Sequence, residues 1–147
     1  MPFNDRELLG RIIRCEAGGE GDAGMRAVAS VVMNRVHASY GEYFRTGAGN
    51  LQNVIFQPGQ FDCARTTING VANPQNIYNM SAEPVHLDIA DWALQGNTLG
   101  AVGNCLWYFN PFVENCPQTF PRNGSGTFHT KINLHCFYRP TEKYAQT

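Results

Sequence analysis

The sequence predicts an α+β fold, mainly helical with a small β element, and three observations carry that expectation. Apolar residues recur at helical spacing through the first 36 residues, with a Gly-Gly break between two such runs. A third helical stretch near residues 83–95 has a proline in its first turn and a glycine just past its end. Beyond Gly103 the pattern changes to short aromatic runs, "LWYFNP" and "LHCFYRP", around a stretch rich in Pro, Gly and Asn.

In chain order, Asn4 is suited to cap a first helix with Glu7 at the third helical position, and Leu8, Leu9, Ile12 and Ile13 form its apolar stripe. Gly18-Gly19 ends it. Asp22 is the expected cap of a second helix whose Met25, Val28, Ala29, Val32 and Val36 face the core, with Asn34 and Arg35 as a polar C-terminal cap. Residues 53–63, "NVIFQPGQFDC", hold a Pro-Gly turn between two short apolar pieces and predict a hairpin. The third helix follows, then the strands.

At 147 residues, the chain is expected to be one domain, residues 1–147, large enough to bury a core. A charged fraction of 16% and a net charge of −1, without a basic stripe or an acidic tail, argue against nucleic acid and anionic membrane as partners. "MPFNDRELLG" has no basic segment followed by an apolar one, so no signal peptide is expected, and no run is long enough for a membrane span. The five cysteines, at 15, 63, 105, 116 and 136, contain no CxxC, and allow at most two disulfides with one thiol over.

The chemistry centres on "CEAGGE". Glu16 lies four residues after Ile12 and three after Ile13, which puts it on the core-facing side of the first helix near its C-terminus. Desolvation and the negative end of the helix dipole both raise a carboxyl pKa there, and a general acid needs that. The alternative is a solvated residue on a frayed last turn. Glu20, freed from the helix face by the glycines, reads as a capping or loop-bracing residue.

Taken together and in order, "CEAGGEGDAGMRAVASVVMNRV", "GQFDC", "LWYFNP" and "NLHCFYRP" resemble the SleB/CwlJ type of bacterial cell-wall hydrolases, the spore cortex-lytic enzymes, from about residue 5 to the end. The likeness is strongest to the short members without a separate peptidoglycan-binding domain. The resemblance implies a lysozyme-like fold that cleaves the glycan strands of peptidoglycan, with the first glutamate of the E-A-x-G-E element, Glu16, as catalytic acid. Whether the bond is cut in muramidase, lytic transglycosylase or glucosaminidase fashion stays open, because family members differ.

Against that background, Trp107, Tyr108 and Tyr138 are candidate sugar contacts, although aromatics in small domains also serve as core. Gln60 and Phe61 match the family's Q-F element and are expected to overhang Glu16, with Gln60 positioning an acetamido group or a water, or else bracing a turn. Asn110 and His135 match family positions as well, and His135 faces either the cleft or a structural hydrogen bond. Candidates for a second acid are Glu20, which follows a flexible Gly-Gly, Asp22, which is better employed as an N-cap, and Asp62, which has no motif support; the economical mechanism therefore uses Glu16 alone and yields 1,6-anhydromuramic ends, with simple hydrolysis as the alternative. Cys116 and Cys136 fall in family-like segments and could close a loop of about twenty residues, though synthesis in a cytoplasm argues against oxidation.

Two rival functions use the same residues. A cysteine peptidase or amidase would pair Cys15 with His135, but a helix C-terminus raises a thiol pKa. A non-catalytic glycan-binding module would keep the aromatics and dispense with Glu16. "NGSGT" around Ser125 is not a nucleophile elbow, and Cys116, His129, His135 and Cys136 have irregular spacing for zinc, so neither serine chemistry, a metal nor a cofactor is expected. Peptidoglycan is the expected partner, with a spore-coat anchoring protein implied by the resemblance. The expected location is the coat–cortex boundary, or release by lysis as for a phage endolysin.

Overall fold

The computed structural model describes residues 3–147. Helix α1 (Asp5–Ala17) starts where Asn4 accepts the Glu7 N–H at 2.8 Å, and it stops at Gly18. Helix α2 (Gly21–Val36) follows a three-residue corner. Its N-cap is Glu20 and not Asp22: the corner ends two residues earlier than the polar pattern suggests, and Asp22 instead pairs with Arg26 one turn on, at 2.9 Å.

The expected hairpin at 53–63 does not form. Asn50 accepts the Asn53 N–H and starts a short helix, with Leu51, Val54 and Ile55 buried at helical spacing. The elements here are α3 (Gly41–Gly47), α4 (Leu51–Phe56), a turn in which the Gln60 N–H bonds the Gln57 carbonyl, and one 3-10 turn at Asp62–Ala64. Pro58-Gly59 does make the turn, with Gly59 at φ +81°, but it joins a helix to a 3-10 turn. A small hairpin, β1 (Thr67–Ile68) and β2 (Val71–Ala72), comes next.

Helix α5 (Pro84–Leu94) begins at the proline, with a reciprocal cap between Glu83 and His86. The C-terminal sheet is antiparallel in the order β3 (Trp107–Phe109), β5 (His135–Pro140), β4 (Gly126–Ile132), followed by the single turn α6 (Glu142–Ala145).

Helix α2 explains how these parts cohere. Ala27, Val28, Ala29, Val31 and Val32 are all fully buried, because one side packs on α1, α4 and α5 while the other meets Val102, Cys105 and Phe137. A helix apolar all round is one covered all round. Its C-terminus therefore points its polar residues inward: Arg35, expected as part of a polar C-terminal cap, is 5% exposed. Tyr43, Trp107, Tyr138 and Tyr144 form a separate aromatic cluster against the sheet.

Two disulfides join Cys15 to Cys63 and Cys116 to Cys136, and Cys105 is a buried free thiol, pushed up to about 12 by burial. Among the described residues no helix is long and apolar enough to cross a membrane.

Candidate active site

Glu16 stands in the last turn of α1 and meets the sheet through one contact: the Tyr108 hydroxyl donates to its Oε1 at 2.6 Å. Burial pushes the Glu16 carboxyl above its ordinary value; the Tyr108 hydrogen bond and the charges of His135 and Arg35 oppose that rise, and Asp62 adds to it. Burial and the adjacent Glu16 also hold the Tyr108 hydroxyl firmly protonated. A carboxyl in this setting holds its proton to higher pH than an exposed one does.

Glu20 braces this centre. Its Oε1 lies 2.7 Å from His135 Nδ1 and accepts the Leu134 N–H at 3.1 Å, while its carbonyl accepts from the Asn133 side chain. The Gly-Gly corner is thereby tied to the β4–β5 turn. Gly24 makes room for it: a Cβ there would stand 2.4 Å from the Glu20 Cβ. His135 in turn packs edge-on against Tyr108, with ring centroids 5.4 Å apart. Glu20, His135 and Tyr108 thus form a chain of contacts ending at Glu16.

A cleft of about 360 Å³ is lined by Arg35, Glu42, Tyr43, Gly59, Gln60, Trp107, Tyr108, Phe120, Pro121 and Asn123. Gln60 faces it, its Oε1 accepting from the Tyr43 hydroxyl at 2.9 Å and from Arg35 at 3.4 Å. Arg35, expected from the sequence only as a polar C-terminal cap, donates Nε–H to the Leu106 carbonyl at 2.7 Å and packs against the rings of Tyr43 and Phe61. Only the identity of a basic residue at the end of an apolar helix could have flagged it. A larger groove of about 700 Å³, lined by Thr46, Gln52, Asn53, Phe56, Gln57, Pro58 and Tyr78, contains no acidic or basic side chain.

Several candidates fall elsewhere. Tyr138 is fully buried with its hydroxyl on the Pro117 carbonyl, so it is a core residue and not a sugar contact. The rings of Phe109, Phe120 and Phe128 pack against it. Phe61 is 3% exposed and serves as a floor for Arg35. Trp107 is 4% exposed, with part of its ring in the cleft wall. Asn110 accepts the Phe112 N–H and shapes a turn in a different surface depression. Asp62 is exposed and pairs with Arg65 at 2.6 Å. Cys15 carries no thiol, since its sulfur is bonded to Cys63, and the partner proposed for it, His135, is engaged by Glu20. The sulfurs of Cys116 and Cys136 are likewise joined.

Comparison with known proteins adds three findings. The family model described as Cell Wall Hydrolase matches residues 19–138. Proteins named cell wall hydrolase CwlJ are similar over nearly the whole chain: that of Oceanobacillus iheyensis is 31% identical, covering 92% of this chain and 86% of the relative, and that of Bacillus subtilis is 28% identical, covering 93% and 86%. Among solved structures, the catalytic domain of the Bacillus cereus SleB protein has a TM-score of 0.66 at 26% identity over 92% of this chain and 89% of that one. The catalytic domain of the germination-specific lytic transglycosylase SleB from Bacillus anthracis has a TM-score of 0.67 at 24% identity, covering 95% and 97%, and bears on the fold. The fold is the lysozyme-like, mainly helical α+β arrangement with a small β element. The family match includes Glu20 and begins after Glu16.

Proposed function

Because the chain belongs to the cell wall hydrolase family, we propose that it cleaves the glycan strands of spore-cortex peptidoglycan during germination, with Glu16 as the general acid and residues 1–147 acting as one catalytic domain. The observation that carries this reading is the burial of Glu16, which favours its protonated form, next to Tyr108, a residue of the cleft wall. CwlJ-named relatives and a germination-specific neighbour give the substrate its context.

The mechanism uses a single carboxyl. Glu16 protonates the glycosidic oxygen as the bond to C1 breaks, and the resulting carboxylate then takes the proton from the O6 hydroxyl of the muramic acid as that oxygen closes on C1. No water is consumed and Glu16 ends as it began. Glu20 and Asp62 are poor second acids: Glu20 is committed to His135 and the Leu134 N–H, and Asp62 to Arg65 in solvent. Tyr108 and the charges of Arg35 and His135 favour the carboxylate formed midway.

Mass spectrometry of a cortex digest tests this reading. Fragments ending in 1,6-anhydromuramic acid, one water lighter than hydrolysed ones, support it; reducing ends alone make the enzyme a hydrolase and leave the Glu16 assignment standing. A coat–cortex location and a coat-anchoring partner belong to the same reading, which fractionation of spores with an antibody to this chain tests.

A further inference from the structure

Arg35 is the most enclosed arginine of the molecule to face a cleft, and it has no acidic partner. Arg6, Arg11, Arg14, Arg26 and Arg65 each pair with a carboxylate at 3.4 Å or closer. Arg35, at 5% exposure, has none within 4.0 Å among the described residues. A buried charge without a counter-ion is costly, and is retained where something else completes it. The Tyr43 and Phe61 rings lie 4.6 and 5.1 Å from its guanidinium carbon, and Nε is taken by the Leu106 carbonyl. That leaves the Nη edge, whose one protein contact is the 3.4 Å approach to Gln60.

Gln60 supplies a second, independent observation. Its Oε1 is doubly engaged by Tyr43 and Arg35, which fixes the amide orientation and leaves the Nε2 donors without a protein acceptor among the described residues. Two sets of free donors, one of them cationic, line the same cleft. Planar donors side by side suit a carboxylate, with charge assistance from the guanidinium. Glu42, also in the cleft wall, has its Oε2 held by Gln57 and disfavours an anion at its own end.

Resting on the glycan-cleavage reading for the identity of the sugar, we propose that the Arg35–Gln60 end of the cleft is an anion subsite that takes the carboxylate of a single amino acid joined by an amide to the lactyl group of a muramic acid unit. The lactyl ether sits on C3, two ring carbons from the C1 that Glu16 would serve. Tyr108, which donates to Glu16, lines the same cleft as Arg35. A sugar without that side group, N-acetylglucosamine, has nothing to offer the subsite, so strand register follows from it.

NMR-monitored titration of the wild-type protein tests this without requiring turnover. N-acetylmuramyl-L-alanine is expected to bind about tenfold tighter than its methyl ester, which keeps the acceptors and loses the charge, and tighter than N-acetylglucosamine. N-acetylmuramic acid, whose carboxylate sits one residue short, is the control: weaker binding than N-acetylmuramyl-L-alanine supports the assignment to the amino-acid carboxylate, and equal or tighter binding overturns it. Arg35→Lys should retain part of the preference and Arg35→Met should abolish it; if Arg35→Met does not fold, the ester comparison decides alone. Equal binding of acid and ester, including no binding of either, overturns the proposal. An enzyme that clears cortex without this preference fails only the subsite, and one that shows the preference yet leaves glycan uncut fails only the cleavage reading.

Discussion

The Tyr108 hydroxyl and the Glu16 carboxyl, 92 residues apart in the chain, meet at 2.6 Å where the end of the first helix touches the first strand of the C-terminal sheet. Tyr108 donates, so it favours the ionised form of Glu16, while burial favours the protonated form and prevails. Tyr108→Phe removes the opposing contact and raises the Glu16 pKa further. Cleavage by a protonated acid falls away as pH rises through that pKa, so the alkaline limb of the pH–rate profile should move to higher pH in the variant. A limb that stays in place or moves to lower pH contradicts this link.

Glu16→Gln keeps the shape and removes the transferable proton. Clearing of purified cortex should drop by roughly two to four orders of magnitude. Residual activity within about tenfold of wild type would dismiss Glu16 as the acid.

The same substitution has an opposite effect on stability. Glu16 binds its proton more tightly folded than unfolded, so its contribution is complete below the model-compound value of 4.5 and is lost as pH rises toward the higher folded value. Glutamine carries no such loss. Each tenfold difference in proton affinity is about 1.4 kcal/mol, roughly 3–5 °C in Tm at this size. Glu16→Gln should therefore melt higher than wild type at neutral pH, and the gap should close in acid; calorimetry at the two pH values reads it.

Glu20→Ala unties the Gly-Gly corner from the β4–β5 turn and leaves His135 and the Leu134 N–H without their acceptor. A loss of about 1–3 kcal/mol is expected, with reduced cortex clearing because Tyr108 loses the His135 backing. Glu20→Gln, which can still accept the Leu134 N–H, should recover part of both. Urea titration beside a turbidity assay separates the two effects.

Closing loops with sequence separations of 48 and 20 constrains the unfolded chain by about 4 and 3 kcal/mol on a chain-entropy estimate. Non-reducing peptide maps should recover Cys15 with Cys63 and Cys116 with Cys136, and reductant should lower Tm. Maps with all five cysteines alkylated would remove both links.

Helices α1 and α5 were legible because their signals are local: Asn4 caps one and Pro84 opens the other, and the apolar spacing runs three turns. The inward side of Glu16 followed from the same spacing. Helix α4 was not legible, since its six residues carry one apolar repeat beside a Pro-Gly pair that also fits a hairpin. Arg35 was illegible for another reason. Its environment is assembled from Tyr43, Phe61 and the Leu106 carbonyl, three segments whose meeting no local pattern encodes. Tyr138 misled in the converse way, because an aromatic on the central strand of a small sheet looks the same in sequence whichever side is covered.

The disulfides divide the polypeptide into two covalently separate rings, residues 15–63 and 116–136, with residues 64–115 outside both. A backbone cut within a ring leaves its ends tethered, whereas a cut at the exposed Asn69-Gly70 turn releases two pieces. One piece would own Glu16, Glu20, Arg35 and Gln60, and the other Tyr108 and His135. The centre is a seam between two chain halves, closed by the Tyr108–Glu16 and His135–Glu20 contacts. A split version of the protein would be silent as separate fragments and report their reassembly by activity.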